Sequence, residues 1–156
     1  MTIVFRVDEA HPSHLMERLP EWLGAAALFF FGAQLSRPGN SFALAHIYDI
    51  IGRMASEREW AFAALTIATV RFVALILNGF FPVIRRVTPA MRATTAFLSG
   101  CIWLALTIGF VMFSSTVLGI VAHGSWALLD FTYAVVVAHE AAGTLRSAVD
   151  AAARQS

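Results

Sequence analysis

Long apolar stretches separated by short polar segments dominate the pattern of this chain. Residues 60 to 84 read WAFAALTIATVRFVALILNGFFPVI, and residues 93 to 138 form a second run in which Asp130 is the only charged residue. Roughly 20 apolar residues cross a hydrocarbon core of about 30 Å as a helix. The pattern therefore predicts an all-α, integral membrane bundle of four transmembrane helices, at about 19–36, 58–81, 93–113 and 116–138.

Local signals set the limits of these spans. Ser56 and Glu59 form an S-x-x-E capping box that starts the second span. The third and fourth spans are expected to separate at residues 114–116, and a later break at residues 123–125 is the alternative. The uncharged part of the first span, residues 22–35, has only 14 residues. That segment either crosses the membrane or lies in it as a tilted interfacial or re-entrant helix.

Two further segments complete what we interpret as a single membrane domain over residues 1–156. In residues 41–55, apolar side chains recur at helical spacing opposite polar ones. This pattern indicates an amphipathic helix that either lies on the membrane surface or packs on the ends of the spans. The alanine-rich, charged tail, residues 139–156, is expected to continue the last helix into water.

Composition agrees with a membrane protein. Hydrophobic residues make up 58% of the 156 residues, charged residues make up 13%, and the mean hydropathy is +0.70. A soluble domain of this size has too little interior to hide so much apolar surface. The formal net charge of +1 gives no basic surface for nucleic acid, so nucleic acid is not expected as a partner. Cys101 is the only cysteine, which excludes an internal disulfide.

The arginines predict the orientation. With four spans, seven arginines fall on the side of the two termini and three on the opposite side. The seven include a basic loop between the second and third spans, formed by Arg85, Arg86 and Arg92. By the positive-inside rule both termini are cytoplasmic, in a multi-pass protein of the bacterial cytoplasmic (inner) membrane. The segment before the first apolar run, which begins at Trp22, carries four acidic residues and two arginines, so we expect it to be retained rather than cleaved as a signal peptide.

Two charges lie deep inside the long apolar runs, Arg71 in the second predicted span and Asp130 in the fourth. A charge inside a bilayer is costly and is expected to face the interior of the bundle. The two positions have similar predicted depths, so we predict an Arg71–Asp130 ion pair, with Asn78 and His123 as nearby hydrogen-bonding groups. Such a pair either fixes helix register or belongs to a proton path, ion path or gate. A third alternative is that the two groups do not meet.

Other candidate sites are weaker. His11 and His14 have the i, i+3 spacing of metal ligands, but two histidines without a third ligand are typical of a surface. His139-Glu140 begins like H-E-x-x-H, yet Gly143 stands where the second histidine belongs. Without a nucleophile and base together, we expect no enzymatic activity, no cofactor and no metal.

Trp22 and Trp60 stand at the entrances of the first two spans. Tryptophan is enriched at the boundary between lipid and water, where the ring reaches both environments. We therefore predict that both residues are interfacial anchors.

Three sequence features together resemble small multi-span membrane proteins of tailed phages and prophages. They are Pro-Glu-Trp at residues 20–22, RFVALILNG at residues 71–79, and an aspartate in the last apolar segment followed by an arginine-containing tail. Such proteins are mostly of unassigned function, and some are called holin-like. The resemblance implies a phage or prophage setting and no particular mechanism.

Three functions follow as hypotheses. The first is a non-enzymatic membrane scaffold or accessory component that associates with other membrane proteins or with further copies of itself. The second is a holin-like, pore-forming lysis protein, whose polar helix faces line a hole after oligomerisation. The third is a small proton-coupled transporter assembled as a dimer, which requires an accessible carboxylate such as that of Asp130. The lipid bilayer is the common partner in all three.

Overall fold

All regular structure in the described part of the chain is helical. The computed structural model describes residues 18–39, 42, 48–80, 88–113 and 116–154. The predicted all-α fold is confirmed for these residues. Their helices are α1 (Leu19–Leu35), α2 (Asp49–Met54), α3 (Glu57–Phe80), α4 (Thr88–Phe113) and α5 (Val117–Ala153).

Three of the described helices are long and apolar enough to cross a membrane. These are α3 over Glu57–Asn78, α4 over Thr88–Phe113, and α5 over Val117–Gly143. Helix α1 is also apolar, but with 17 residues it is shorter than the other three. Three of the four predicted spans are therefore supported by length and composition, and the protein is compatible with membrane insertion.

The helices pack as two neighbouring pairs. Helix α4 packs against α5, α1 packs against α3, and contacts between α3 and α4 join the two pairs. Glu21, near the start of α1, pairs with Arg92, near the start of α4, so these two helices run in the same direction. Thr88 at the start of α4 meets Asn78 near the end of α3, so α3 runs the opposite way.

The start of α3 follows from its capping residues. The Ser56 backbone N–H donates to Glu59 Oε2 at 2.8 Å, and the Glu59 N–H donates to Ser56 Oγ at 3.3 Å. These reciprocal bonds satisfy backbone donors that have no partner inside the helix. The predicted capping box is confirmed.

The described part of the connector, α2, packs on the bundle. Ile51 is only 2% exposed and belongs to the apolar core, and Trp60 Nε1 donates to the Ile51 carbonyl at 2.8 Å. These contacts correspond to the alternative in which the connector packs on the ends of the spans. Most of residues 41–47, the first half of the predicted amphipathic helix, lies outside the described residues.

The exterior of the bundle is apolar, whereas part of its interior is polar. Large apolar side chains face outward, including Phe62 at 73% and Leu118 at 81% exposure. The fully buried side chains include Arg71 and Asp130. A soluble protein rarely exposes so large an apolar surface, whereas a lipid environment covers it. The buried charged side chains are therefore the main candidates for a functional site.

Candidate functional site: two buried ion pairs

The structure brings Arg71 and Asp130 together at the centre of the bundle. Arg71 on α3 donates from Nη1 to Asp130 Oδ1 on α5 at 2.6 Å. The Arg71 side chain is 1% exposed and the Asp130 side chain is 0% exposed. Removing a charge from water is costly unless a partner compensates it, so each of these residues depends on the other.

Ser99 on α4 completes the surroundings of the carboxylate. Its hydroxyl donates to Asp130 Oδ2 at 2.5 Å, so both carboxylate oxygens accept a hydrogen bond from the protein. Three helices, α3, α4 and α5, thus contribute to one site. Arg71 Nη2, in contrast, has no hydrogen-bond partner among the described residues.

Gly24 on α1 covers the pair from the fourth side. A Cβ atom at this position would lie 3.1 Å from Asp130 Oδ1 and 3.2 Å from Arg71 Nη2. These distances are shorter than most contacts of real Cβ atoms, so a glycine lets α1 approach the charges closely. The pair is enclosed by all four of the long helices.

A second buried ion pair joins α1 to α4. Arg92 donates from Nε to Glu21 Oε2 at 2.9 Å and from Nη2 to Glu21 Oε1, which makes the contact bidentate. Both residues are buried. Glu140 on α5 lies 3.7 Å from Arg92 Nη1 and is 55% exposed, so this pair lies near the end of the bundle. A bidentate arginine–carboxylate contact fixes orientation as well as distance.

Asn78 belongs to this same end. Its side-chain amide lies 3.0 Å from Thr88 Oγ1, and the Arg18 guanidinium lies 2.9 Å from the other side of the amide. With its oxygen towards Arg18, the amide accepts from Arg18 and donates to Thr88, which satisfies both neighbours. Asn78 therefore connects the end of α3 to the start of α4.

These groups form a column that starts at one end of the bundle and stops at its middle. On α4, Arg92 and Ser99 are separated by seven residues, which is about 10 Å along the helix axis. On α5, Glu140 and Asp130 are separated by ten residues, or about 15 Å. Tyr133 lies between these levels on α5 and interacts electrostatically with Glu21, Arg71 and Arg92. We call this part of the bundle the polar half.

Beyond the Arg71–Asp130 pair the interior is apolar, and we call this part the apolar half. Trp103 is at its centre, with its ring centroid 5.5 Å from that of Phe31 and 6.3 Å from that of Trp126. The buried apolar side chains of this half are Leu28, Ile51, Ala64, Ala68, Ile102, Trp103, Leu106 and Ala127. Two different kinds of interior thus meet at the level of the central pair.

His123 is not part of the polar column. Its Nδ1 lies 2.8 Å from the Gly119 carbonyl, and its ring stacks on Phe110 at a centroid distance of 4.7 Å. It precedes Asp130 by seven residues, about two turns of helix, so it faces the same side at a different depth. The expectation that His123 supports the central pair is wrong, because sharing a helix face does not place two residues at one level.

The other supporting residues also differ from expectation. Asn78 is buried, but its described partners are Thr88 and Arg18 rather than the central pair. Arg92 was assigned to the basic loop between the second and third spans and instead lies inside α4, buried against Glu21. The cause is that α4 begins at Thr88, which places Arg92 one turn into the helix and facing the interior.

Ser99 and Glu21 were missed by sequence reasoning. Ser99 follows Arg92 by seven residues, so both lie on one face of a helix, and this spacing is the signal that identifies it. Glu21 lies in the first turn of α1 and is the only acidic residue of this otherwise apolar helix, which makes it a natural partner for a buried arginine. Each needed the neighbouring helix to be known before a partner could be assigned.

The remaining candidates lie at the ends of the bundle or outside the described residues. The Trp22 ring contacts Phe72, with centroids 5.7 Å apart, and Trp60 binds the Ile51 carbonyl. Arg85 and Arg86, like His11 and His14, lie outside the described residues. Within the described ranges, no group of three or more His, Cys, Asp or Glu residues is placed to hold a metal ion.

The two buried ion pairs join neighbouring helices of the bundle. The Asp130 carboxylate accepts from Arg71 and Ser99, and the Glu21 carboxylate accepts twice from Arg92. These contacts link all four long helices through charge-assisted hydrogen bonds. Comparisons of the chain with protein-family models, curated proteins and solved structures find no match.

Proposed function

We propose that this chain is a non-enzymatic integral membrane protein that acts as a scaffold or accessory component through helix–helix association. The observation that carries the proposal is the enclosed Arg71–Asp130 pair, which is buried among four helices of a single chain. Inside a bilayer such a pair compensates two charges that are costly when exposed to lipid. It also fixes which faces of α3 and α5 meet, because a rotation of either helix separates the charges.

The proposed setting is the cytoplasmic membrane of a bacterium, with both termini cytoplasmic and α1 as a fourth span. The resemblance to phage and prophage membrane proteins supports that setting, and the distribution of arginines supports the orientation. In this orientation the polar half and the last part of α5 lie at the cytoplasmic side. The apolar exterior faces lipid and, where helices associate, other membrane proteins or further copies of the chain.

The last part of α5 is the segment that we propose presents the protein to partners. The apolar part of this helix ends at Gly143, and the helix continues to Ala153. The ten additional residues extend about 15 Å further. Exposed residues in this region include Leu145 and Arg146.

Inducible expression in bacteria tests the proposal. The protein is expected to resist carbonate extraction, and cells that express it are expected to grow steadily with no loss of membrane potential, as followed with a potential-sensitive dye. The Arg71→Leu, Asp130→Leu double variant is expected to behave in the same way, because a scaffold needs the bundle and not the charges themselves.

Two results would replace the scaffold by another function. Abrupt depolarisation after a delay, altered in the double variant, indicates a holin-like pore lined by these charges. Ion or drug efflux that is lost in Asp130→Asn indicates a proton-coupled transporter. If carbonate releases the chain from membranes as a water-soluble monomer, the result contradicts all three membrane functions.

A further inference from the structure

A groove opens on the outer surface of the bundle, at the end opposite the polar column. It lies between the end of α1 and the start of α3 and has a volume of about 540 Å³. Its polar lining comes from Ser36, Arg37, Glu57 and Arg58, and its apolar lining comes from Leu35, Ala61, Phe62 and Leu65.

The lining changes from charged to apolar along the direction of α3. Arg58 lies one residue after the start of the helix, and Leu65 follows seven residues later, which corresponds to about 10 Å. Phe62, between them, is 73% exposed. In a membrane this direction leads from the headgroup region into the hydrocarbon. The groove therefore matches a molecule with an anionic head and an apolar chain.

The charge of the groove is positive where its polar end opens. Arg37 and Arg58 are both exposed, and neither side chain has an ion-pair partner among the described residues. Glu57 also lines the groove, but it contacts the connector, since the Phe42 backbone N–H donates to its Oε2 at 3.4 Å. Burial and, secondly, the charge of Glu57 raise the pKa of Tyr48, the residue before α2.

We propose that this groove binds an anionic phospholipid. The lipid phosphate lies between Arg37 and Arg58, where guanidinium groups donate charge-assisted hydrogen bonds to its oxygens. One acyl chain runs along Phe62 and Leu65. The inference rests on the membrane location proposed above but not on the scaffold role. It adds a lipid-specific site at the end of the molecule that carries few arginines.

Native mass spectrometry of the full chain in mild detergent tests this site, with phosphatidylglycerol and phosphatidylcholine as probes. Phosphatidylglycerol is expected to remain bound at lipid concentrations where phosphatidylcholine does not. The Arg37→Gln, Arg58→Gln double variant is expected to bind phosphatidylglycerol about 30-fold more weakly, which is the combined contribution of two arginines near anionic headgroups. Each single variant is expected to show an intermediate loss.

Arg53→Gln is the matched control for the single variants. Arg53 is exposed on α2 and does not line the groove, so its replacement makes the same change in net charge at another place. Binding of phosphatidylglycerol is expected to stay within about twofold of the unmodified chain, which is the scale for an isolated surface charge in salt. An equal loss in Arg53→Gln and the groove variants would overturn the proposal in favour of non-specific charge attraction.

Three other outcomes would also overturn it. Equal retention of the two lipids would show that the headgroup charge is not recognised. Displacement of the lipid by millimolar inorganic phosphate would identify a phosphate site without an acyl-chain contact. A change from oligomer to monomer in the groove variants, with lipid binding unchanged, would assign the groove to a second copy of the chain. Carbonate extraction of the same variants reports on membrane insertion separately, so failure of the lipid site is distinguishable from failure of the membrane location.

Discussion

The polar half and the apolar half of the bundle hold the same helices together by different means. In the polar half a few directional contacts, led by Arg71–Asp130 and Glu21–Arg92, join specific pairs of helices. In the apolar half many non-directional contacts surround Trp103 and Leu106. Lipid is as apolar as such a core, so burial in a membrane gives these contacts little hydrophobic driving force. Specificity is therefore concentrated in the polar half, and shape complementarity in the apolar half.

The largest expected effect comes from removing one charge of the central pair. Asp130→Asn leaves Arg71 buried without its counter-ion, and we expect a loss of about 3–5 kcal/mol in the free energy of unfolding. Size-exclusion chromatography of the solubilised protein measures the folded yield, which should fall sharply. The Arg71→Leu, Asp130→Leu double variant is expected to recover most of that yield, because no unpaired charge remains.

Thr132→Val is the control for this pair of variants. Thr132 is on the exposed side of α5, where its hydroxyl donates to the Leu128 carbonyl within the same helix. Its replacement should leave the folded yield unchanged. If the double variant folds as poorly as Asp130→Asn, the two charges do not act as a unit.

The stability of the apolar half is expected to fall with the side-chain volume that a substitution removes from its core. Leu106 is 1% exposed, so Leu106→Ala leaves a cavity and should lower the stability by about 2–3 kcal/mol, as measured by thermal unfolding. Trp103→Phe removes a smaller volume and should cost less than about 1.5 kcal/mol. In addition, Trp103 Nε1 has no hydrogen-bond partner among the described residues, so the substitution breaks no hydrogen bond with them. A larger loss of stability in Trp103→Phe than in Leu106→Ala would contradict a core that is stabilised mainly by close packing.

Close packing of α1 on α3 in the apolar half is tested at Gly32. A Cβ atom there would lie 2.9 Å from Leu65 Cγ and 3.0 Å from the Leu65 backbone nitrogen. Gly32→Ala should therefore push the helices apart and lower the melting temperature, at a cost of about 1–2 kcal/mol. Gly143→Ala is the matched control, since a Cβ there meets nothing within 4 Å. That control should be neutral or stabilising by up to about 1 kcal/mol, because alanine favours a helix.

The smallest effect compares one hydroxyl in each half. Ser99 donates to the Asp130 carboxylate, whereas Thr107 donates to the Trp103 carbonyl of its own helix at 2.7 Å. Ser99→Ala should reduce stability by about 1 kcal/mol, and Thr107→Val by a few tenths at most. Chemical unfolding of the two variants in parallel measures the difference. Equal effects would mean that the contact with Asp130 adds nothing beyond an ordinary local hydrogen bond.

Periodic and local features of this molecule were readable from the sequence, and contacts between distant segments were readable only in part. Two features depend only on residues close together in the chain, which the sequence shows directly. They are the capping box of Ser56 and Glu59 and the apolar lengths of α3, α4 and α5. The pairing of Arg71 with Asp130 followed from their predicted depths alone, because each is the only charge in its apolar run, residues 60–84 and 93–138.

The polar half shows why the rest was not predictable. Arg92 has the same local sequence whether it ends a loop or faces the interior, and only the packing of α1 beside α4 decides between these. His123 illustrates the opposite case, since its helix face agreed with that of Asp130 while its depth did not. Depth along a helix and the identity of the neighbouring helix are properties of the assembled bundle.

Because α5 is long and continuous, the central ion pair also fixes the orientation of the end of this helix. Asp130 belongs to a continuous helix that ends at Ala153, and successive residues of a helix differ by about 100° around its axis. Arg71 and Ser99 hold the Asp130 carboxylate, so these contacts also set the direction in which residues after Gly143 face around the helix axis. A partner that binds the C-terminal end of α5 therefore meets a helix surface whose orientation is fixed by the central ion pair.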